Sequence, residues 1–290
     1  MNPAPSVIVF TVFSGMGLGC LAFLGLGLVV PVGWTAFCLW GLGYGLAVGG
    51  LLASTLHLGN PNRALRAFSQ WRSSWLSREA WCSVAALLEL APVALSDWLG
   101  LGIWRGFGVL GAVLCVGTVF ATSMIYAQLK TVPRWNHWTT PVLFLGFMAA
   151  GGAILAGNFV AVPLCLGLGI ALVLAFRIGD GRFKKAGQTI GKATGLDRIG
   201  EVSVFELPHT GQNYLLREMI YVVARRHAVR LRGIAVGCAA VGPAVLLLVL
   251  PAHPVVFGAA AVVHLLGALA ARWLFFAEAE HVVGLYYGKR

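Results

Sequence analysis

HLGNPNRALRAFSQWRSSWLSRE, residues His57 to Glu79, is the polar break between two long apolar runs, and its reading decides the fold. His57 closes one run and Glu79 opens the next, with four arginines and two tryptophans between them. Asn60 is a good helix N-cap, and Pro61 suits the first helical position, where no N–H is needed. From there Ala64, Phe68, Trp71 and Trp75 recur at i, i+4, i+7 and i+11, while Arg63, Arg66 and Gln70 fall on another face. The pattern predicts a short helix lying in a membrane interface, its rings in lipid or protein and its guanidinium groups in water. An ionisable His and Glu are thereby held at the ends of two membrane helices.

The wider chain fits that setting. Of 290 residues, 59% are hydrophobic and 11% charged, where a soluble domain would carry about 25% charged residues. This composition predicts an all-α integral membrane protein, a single polytopic domain. Eight apolar runs are long enough to span, near 6–30, 34–57, 79–99, 102–126, 138–157, 160–178, 232–250 and 254–277, with a polar loop over 179–231. The first run has no Lys or Arg ahead of it and reads as a retained helix and not a signal peptide. Connections after the first, third, fifth and seventh runs are short, so the longer ones share a side with both termini.

Charge placement agrees. Of 21 Lys and Arg, 20 fall on the long-loop side and only Arg105 opposite. The positive-inside rule makes that side cytoplasmic and favours an even number of spans. The net charge of +11 is thus a topology signal and no sign of nucleic acid binding. The segment Gln212 to Arg232 adds a second predicted interfacial helix, with Leu215, Met219, Ile220 and Val223 on one face and Glu218, Arg225 and Arg232 on another.

Six cysteines all lie in apolar runs without a C-x-x-C pair, so they read as packing residues and not as ligands of a cluster or zinc. Glycine patterns such as Gly15-x-Gly17-x-Gly19 and Gly41-x-Gly43-x-Gly45 suit close helix approach in lipid. A faint parallel repeat pairs Phe10 with Phe144, Phe13 with Phe147, Gly17 with Gly151 and Leu21 with Leu155. Chance matching among apolar residues gives such pairs about as readily. The repeat favours two packed four-helix bundles.

Ionisable groups at membrane depth need a reason. Glu89 lies ten residues into the third run, about 15 Å deep at roughly 1.5 Å per residue, and is neutral, paired or part of a proton path. His264 lies mid-way through the last run. A haem would want a second buried His at matching depth, and His57, His137 and His281 all lie near helix ends. His57 and Glu79 flank one surface segment. An imidazole and a carboxylate facing an apolar cleft can accept the two hydroxyl protons of a hydroquinone. The structural alternative is that His57 caps its helix and Glu79 pairs with Arg78 or Arg63. On the residues alone both readings stand.

Five ordered blocks then carry a resemblance. They are SVIVFTVFSG (Ser6 to Gly15), the His57 to Glu79 segment, SMIYAQLKTVPRWN (Ser123 to Asn136), TGQNYLLREM (Thr210 to Met219) and RWLFFAEAEH (Arg272 to His281). Through them the chain resembles, over nearly its whole length, the DmsC family, the membrane anchors of dimethyl sulfoxide reductase-type molybdoenzymes. The resemblance implies a quinol-oxidising anchor, using menaquinol or ubiquinol, for anaerobic respiration at a bacterial inner membrane. Such an anchor is a non-catalytic subunit with no cofactor of its own. It sits in a heterotrimer with a four-cluster iron–sulfur subunit and a molybdopterin catalytic subunit. The family's quinol-site His and Glu fall on His57 and Glu79, with Arg63, Arg66, Trp71, Trp75, Ser77 and Arg78 as positioning residues. The alternatives from other classes are a polytopic transporter and a haem b quinone oxidoreductase subunit.

Overall fold

A computed structural model describes the chain except residues 58, 59, 207, 208, 210, 212, 221–226, 289 and 290, and only the backbone at 57, 61 and 62. Among the described residues the protein is helical, without strands. Its long helices are α1 (Pro5–Gly25), α2 (Gly33–Ala53), α3 (Trp75–Leu99), α4 (Gly106–Ala127), α5 (Thr139–Leu155), α6 (Ala161–Ala186), α7 (Ala228–Val249) and α8 (Pro254–Ala277). Among the described residues, seven helices are long and apolar enough to cross a membrane. The exception, α5, has 17 residues, about 26 Å of helix at roughly 1.5 Å per residue.

Local chemistry moves several expected boundaries. The first helix stops at Gly25 because Gly27 turns the chain at φ 70°. The third begins at Trp75 and not near 79, because Ser74 is its N-cap and accepts from the Ser77 N–H at 3.5 Å. α6 runs on to Ala186, where Gly187 at φ 57° ends it. The interfacial helix expected from Asn60 onward is a single 3-10 segment, Pro61–Phe68. Asn60 makes no side-chain cap there. Trp71 sits in the following turn, and Trp75 already belongs to α3. In the second predicted interfacial helix, Tyr214–Glu218 is helical behind an Asn213 cap, while Val223 and Arg225 lie outside the described residues.

Packing explains the order of the helices. α1 packs on α2 and α4, α2 on α3, and α3 on α4; α5 packs on α6 and α8, α6 on α7, and α7 on α8. α1 also lies along α5, and 78% of its apolar window is buried, against 28–50% for the other six spanning-length helices, so it is the central helix. Small residues permit this. A Cβ on Gly19 would strike the Met148 carbonyl and Gly152, and one on Gly17 would strike the backbone of Gly43 and Ala47. Gly15, Gly41 and Gly45 face open space, so only part of the glycine pattern serves close approach.

The two ends of the bundle differ. At the short-loop end, Arg105 pairs with Asp97 at 2.6 Å, and Asp97 also accepts from Trp40 Nε1 at 3.1 Å. The lone basic residue on that side is thus neutralised locally. At the opposite end the long connections meet both termini: the Met1 ammonium donates to Ala279 O, Asn2 N–H to Glu218 O and Val282 N–H to Thr131 O. There Arg134 and Arg232 bracket Asp180 and Glu278, tying the α4–α5 connection to α6, α7 and the end of α8.

Candidate functional site

The polar segment after α2 is clamped to the first turns of α3 by side chains of α3 itself. Ser77, 1% exposed, donates to Ala67 O and accepts from the Gln70 N–H at 3.2 Å. Arg78 donates to Trp71 O at 3.1 Å and to Arg72 O at 2.7 Å, while its guanidinium lies 4.3 Å over the Trp75 ring. Trp81 Nε1 donates to Phe68 O at 3.0 Å. These bonds satisfy carbonyls that a 3-10 turn and an open loop leave unpaired. Arg63, Arg66 and Trp71 stay exposed.

Glu79 is placed differently from the expected surface position. It is the fifth residue of α3 and 4% exposed, on the face with Ser83, Ala86 and Leu90 that packs into the bundle. Its partner is Thr122 of α4, whose Oγ1 donates to Glu79 Oε1 at 2.5 Å. Pairing with Arg78 is replaced by the carbonyl bonds of that arginine, and Arg63 is exposed on the 3-10 segment. An apolar groove of about 350 Å³ lined by Phe68, Trp71, Arg78, Trp81 and Cys82 opens on the outer face of α3. Arg78 and Glu79, being adjacent in a helix, point about 100° apart, so groove and carboxyl lie on different faces. His57 ends a 3-10 turn that continues α2; its side chain lies outside the described residues.

The other four sequence blocks converge on this same end of the molecule. Tyr126, one helical turn beyond Thr122 on α4, has its ring 5.4 Å from Trp135, 5.7 Å from Phe144, 5.4 Å from Phe275 and 5.6 Å from Phe276. Ile8 of the first block joins the same cluster with Val132, Trp135, Phe276 and Ala279. Glu218 of the Thr210 to Met219 block holds the N-terminus through its carbonyl. Sequence reasoning does not single out Thr122, Tyr126 or Arg272. Hydroxyls at Thr118, Thr122 and Ser123, near the end of an otherwise apolar helix that finishes where α3 starts, are the available signal.

The remaining buried ionisable groups fall elsewhere. Glu89 is half-buried on α3 and has no hydrogen bond among the described residues. His264 is fully buried, with Nδ1 2.7 Å from Ala239 O in the π-turn Gly237–Val241 of α7, so Nδ1 carries the proton and Nε2 the lone pair. A Cβ on Gly151 would sit 3.1 Å from that Nε2 and 2.8 Å from Met16 Cγ, so α5 packs closely against that edge of the ring. Outside the membrane helices, His137 and His281 are held below the usual imidazole range by burial, His137 also by the nearby Arg182 and His281 by the N-terminal ammonium.

Comparison with known proteins adds the family. Over 99% of both chains, the sequence is 29% identical to a sulfite dehydrogenase subunit of Allochromatium vinosum. No solved structure matches it. The family model of the DMSO reductase anchor subunit matches residues 1–163, more than half of the chain, which takes in α1 to α5 and with them Glu79, Thr122 and Tyr126. The chain is therefore a multi-pass membrane protein that belongs to the DMSO reductase anchor subunit (DmsC) family.

Proposed function

We propose that this chain is the quinol-oxidising anchor of a heterotrimeric molybdoenzyme, a single domain of eight spans with termini and basic loops on the cytoplasmic side of a bacterial inner membrane. The observation that carries the reading is Glu79: a carboxyl in the rim of the membrane, removed from water, with one hydroxyl as its partner, beneath the end of the protein that carries the basic loops. A quinol losing two electrons must also lose two hydroxyl protons. Glu79 accepts one and His57, at the adjoining helix end, the other. The electrons leave to an iron–sulfur subunit docked on the same end, which feeds a molybdopterin subunit. Ser77, Arg78, Trp75 and Trp71 hold the segment between the two acceptors, and Arg63 and Arg66 present charge to the partner or to lipid headgroups. Neither cofactor belongs to this chain.

Glu79→Gln and His57→Phe are expected to abolish turnover with quinol while the complex still assembles and still works with an artificial dye that reduces the soluble subunits directly. Unimpaired quinol oxidation in both variants sinks the assignment.

A second reading follows from the relative named a sulfite dehydrogenase subunit. In it the same site runs in reverse, taking electrons from the soluble subunits and returning protons from Glu79 and His57 to a quinone. Supplying the purified complex with sulfite and a quinone, or with a quinol and a sulfoxide, decides the direction.

A further inference from the structure

The apolar groove on the outer face of α3 is not used by the quinol reading, because the Glu79 carboxyl lies on a different face of that helix. Its volume is about 350 Å³, and its walls are the rings of Phe68, Trp71 and Trp81 with Cys82 and Arg78. Phe68 and Trp81 meet edge to face at 5.3 Å, and the Trp81 indole N–H donates to Phe68 O. Trp71 and Trp81 are still 57% and 53% exposed. The residues that follow Trp81 at helical spacing are Val84, Leu88 and Leu95, at 41%, 68% and 46% exposed. They continue the groove as an apolar stripe along the outside of α3.

Depth and charge separate the floor of the groove from its rim. The 25 residues of α3 make about 38 Å of helix at roughly 1.5 Å per residue, against a hydrocarbon core of about 30 Å. Centred in the bilayer, the helix overhangs that core by roughly 4 Å at each end. Trp81 and Cys82, its seventh and eighth residues, lie about 9–11 Å from its start, at the depth of acyl chains. Arg72 precedes the helix and stands at headgroup level, its guanidinium 5.5 Å over the Trp71 ring. Between His57 and Glu79 the sequence holds four arginines and no Asp or Glu. Glu79 itself turns inward to Thr122. The rim is therefore basic and the floor apolar.

We propose that this groove holds one anionic phospholipid, with its phosphate at Arg72 and Arg78 and an acyl chain between Trp71 and Trp81. Charge complementarity selects the occupant: guanidinium groups bind phosphate in forked geometry, and basic pockets at a membrane surface favour anionic headgroups. A zwitterionic lipid would bring an ammonium group to a segment that has no carboxylate to receive it. A quinol would offer the arginines an uncharged ring. A soluble subunit does not reach a groove floor at acyl depth. Beyond the groove the chain runs on along Val84 and Leu88. Held there, the lipid braces the Trp71 turn against α3 from the membrane side, as Ser77 and Arg78 brace it from the protein side. The site does not depend on the chain oxidising quinol.

Photolabelling of the purified protein in nanodiscs tests this, using phosphatidylglycerol or phosphatidylcholine with a diazirine in the acyl chain. Cross-linked peptides are mapped by mass spectrometry. Phosphatidylglycerol is expected to label residues 68–82 above all other lipid-facing positions, and phosphatidylcholine to label them no more than the rest. Cys82→Phe, which fills the groove and keeps every arginine, should abolish the labelling. Arg72→Gln should weaken it about fivefold, the usual effect of one basic side chain at an anionic surface. Equal labelling by the two lipids in the wild type overturns the proposal, and decides the matter even where the variants fail to fold. So does labelling that survives Cys82→Phe or is unchanged in Arg72→Gln. Displacement of the phosphatidylglycerol label by a long-chain quinone at matched concentration also overturns it, giving the groove to a quinol tail. None of these readouts involves turnover, so a protein that never oxidises quinol refutes the functional reading and leaves the lipid site standing.

Discussion

Thr122 Oγ1 donates to Glu79 Oε1 at 2.5 Å, and this bond joins α4 to α3 within the buried layer beneath the long-loop end. It is the carboxyl's one hydrogen bond among the described residues, so its loss leaves a buried acid without a donor. Thr122→Val keeps the shape and removes the hydroxyl. The expected cost is about 1–3 kcal/mol, the penalty of an orphaned buried polar group. It should appear as a lower unfolding temperature in detergent together with impaired quinol turnover. Thr122→Ser, which restores the donor, should recover both. Wild-type behaviour in Thr122→Val would show that the bond is incidental.

The central crossing predicts a purely structural lesion. Gly19 and Gly152 face each other where α1 passes α5, and a Cβ on either meets the other's backbone. Backbone cannot yield as a flexible side chain does, so Gly19→Val should push the helices apart at the cost of the packing around Met148. Assembly and dye-dependent activity should fall together. By contrast, Gly15→Ala on the same helix meets nothing within 4 Å and should be silent. Comparing yield and melting temperature of the two variants checks this.

The membrane helices are legible in the sequence because apolar length needs no partner to be recognised. Their ends are less so. Glu79 reads as the start of a span until Ser74 is seen capping α3, which draws four more residues into the helix and the carboxyl into the bundle. The stripe Ala64, Phe68, Trp71, Trp75 is periodic, yet its helix ends at Phe68 because Ser77, Arg78 and Trp81 capture the carbonyls of the segment. Those tertiary bonds leave no trace in a period. Arg272 counts, in the sequence, among the basic residues that mark the cytoplasmic side; only the packing of α8 against α5 shows it buried against Phe144.

Glu278 predicts an uneven response to mutation at the long-loop end. Its side chain is 6% exposed and is held by both Arg134 and Arg232, while Asp180, 49% exposed, takes the other ends of the same arginines. Removing the buried acid leaves two partly buried cations with the half-exposed Asp180 as their remaining counter-charge. Glu278→Ala should therefore cost about 3 kcal/mol at most, the low end for breaking a buried pair. Asp180→Ala should cost far less, since water replaces much of what it offers. Equal losses in thermal unfolding would refute the ranking.

His281 offers a pH signature away from the membrane core. Its Nδ1 accepts the Val283 N–H at 3.0 Å and so caps the last 3-10 turn, which only the neutral ring can do. Burial and the N-terminal ammonium hold its pKa below the ordinary imidazole value. The unfolded chain therefore binds the proton more readily than the folded one. The contribution of this residue is complete above the unfolded value, near 6.5, and is lost as pH falls through the folded one. The C-terminal turn should loosen under mild acid, seen as lower amide protection factors at Val283 and Gly284 once the intrinsic pH dependence of exchange is divided out. His281→Asn keeps a capping acceptor without a titrating ring, so its protection factors should no longer depend on pH in that range. An unchanged pH dependence in that variant would place the titrating group elsewhere.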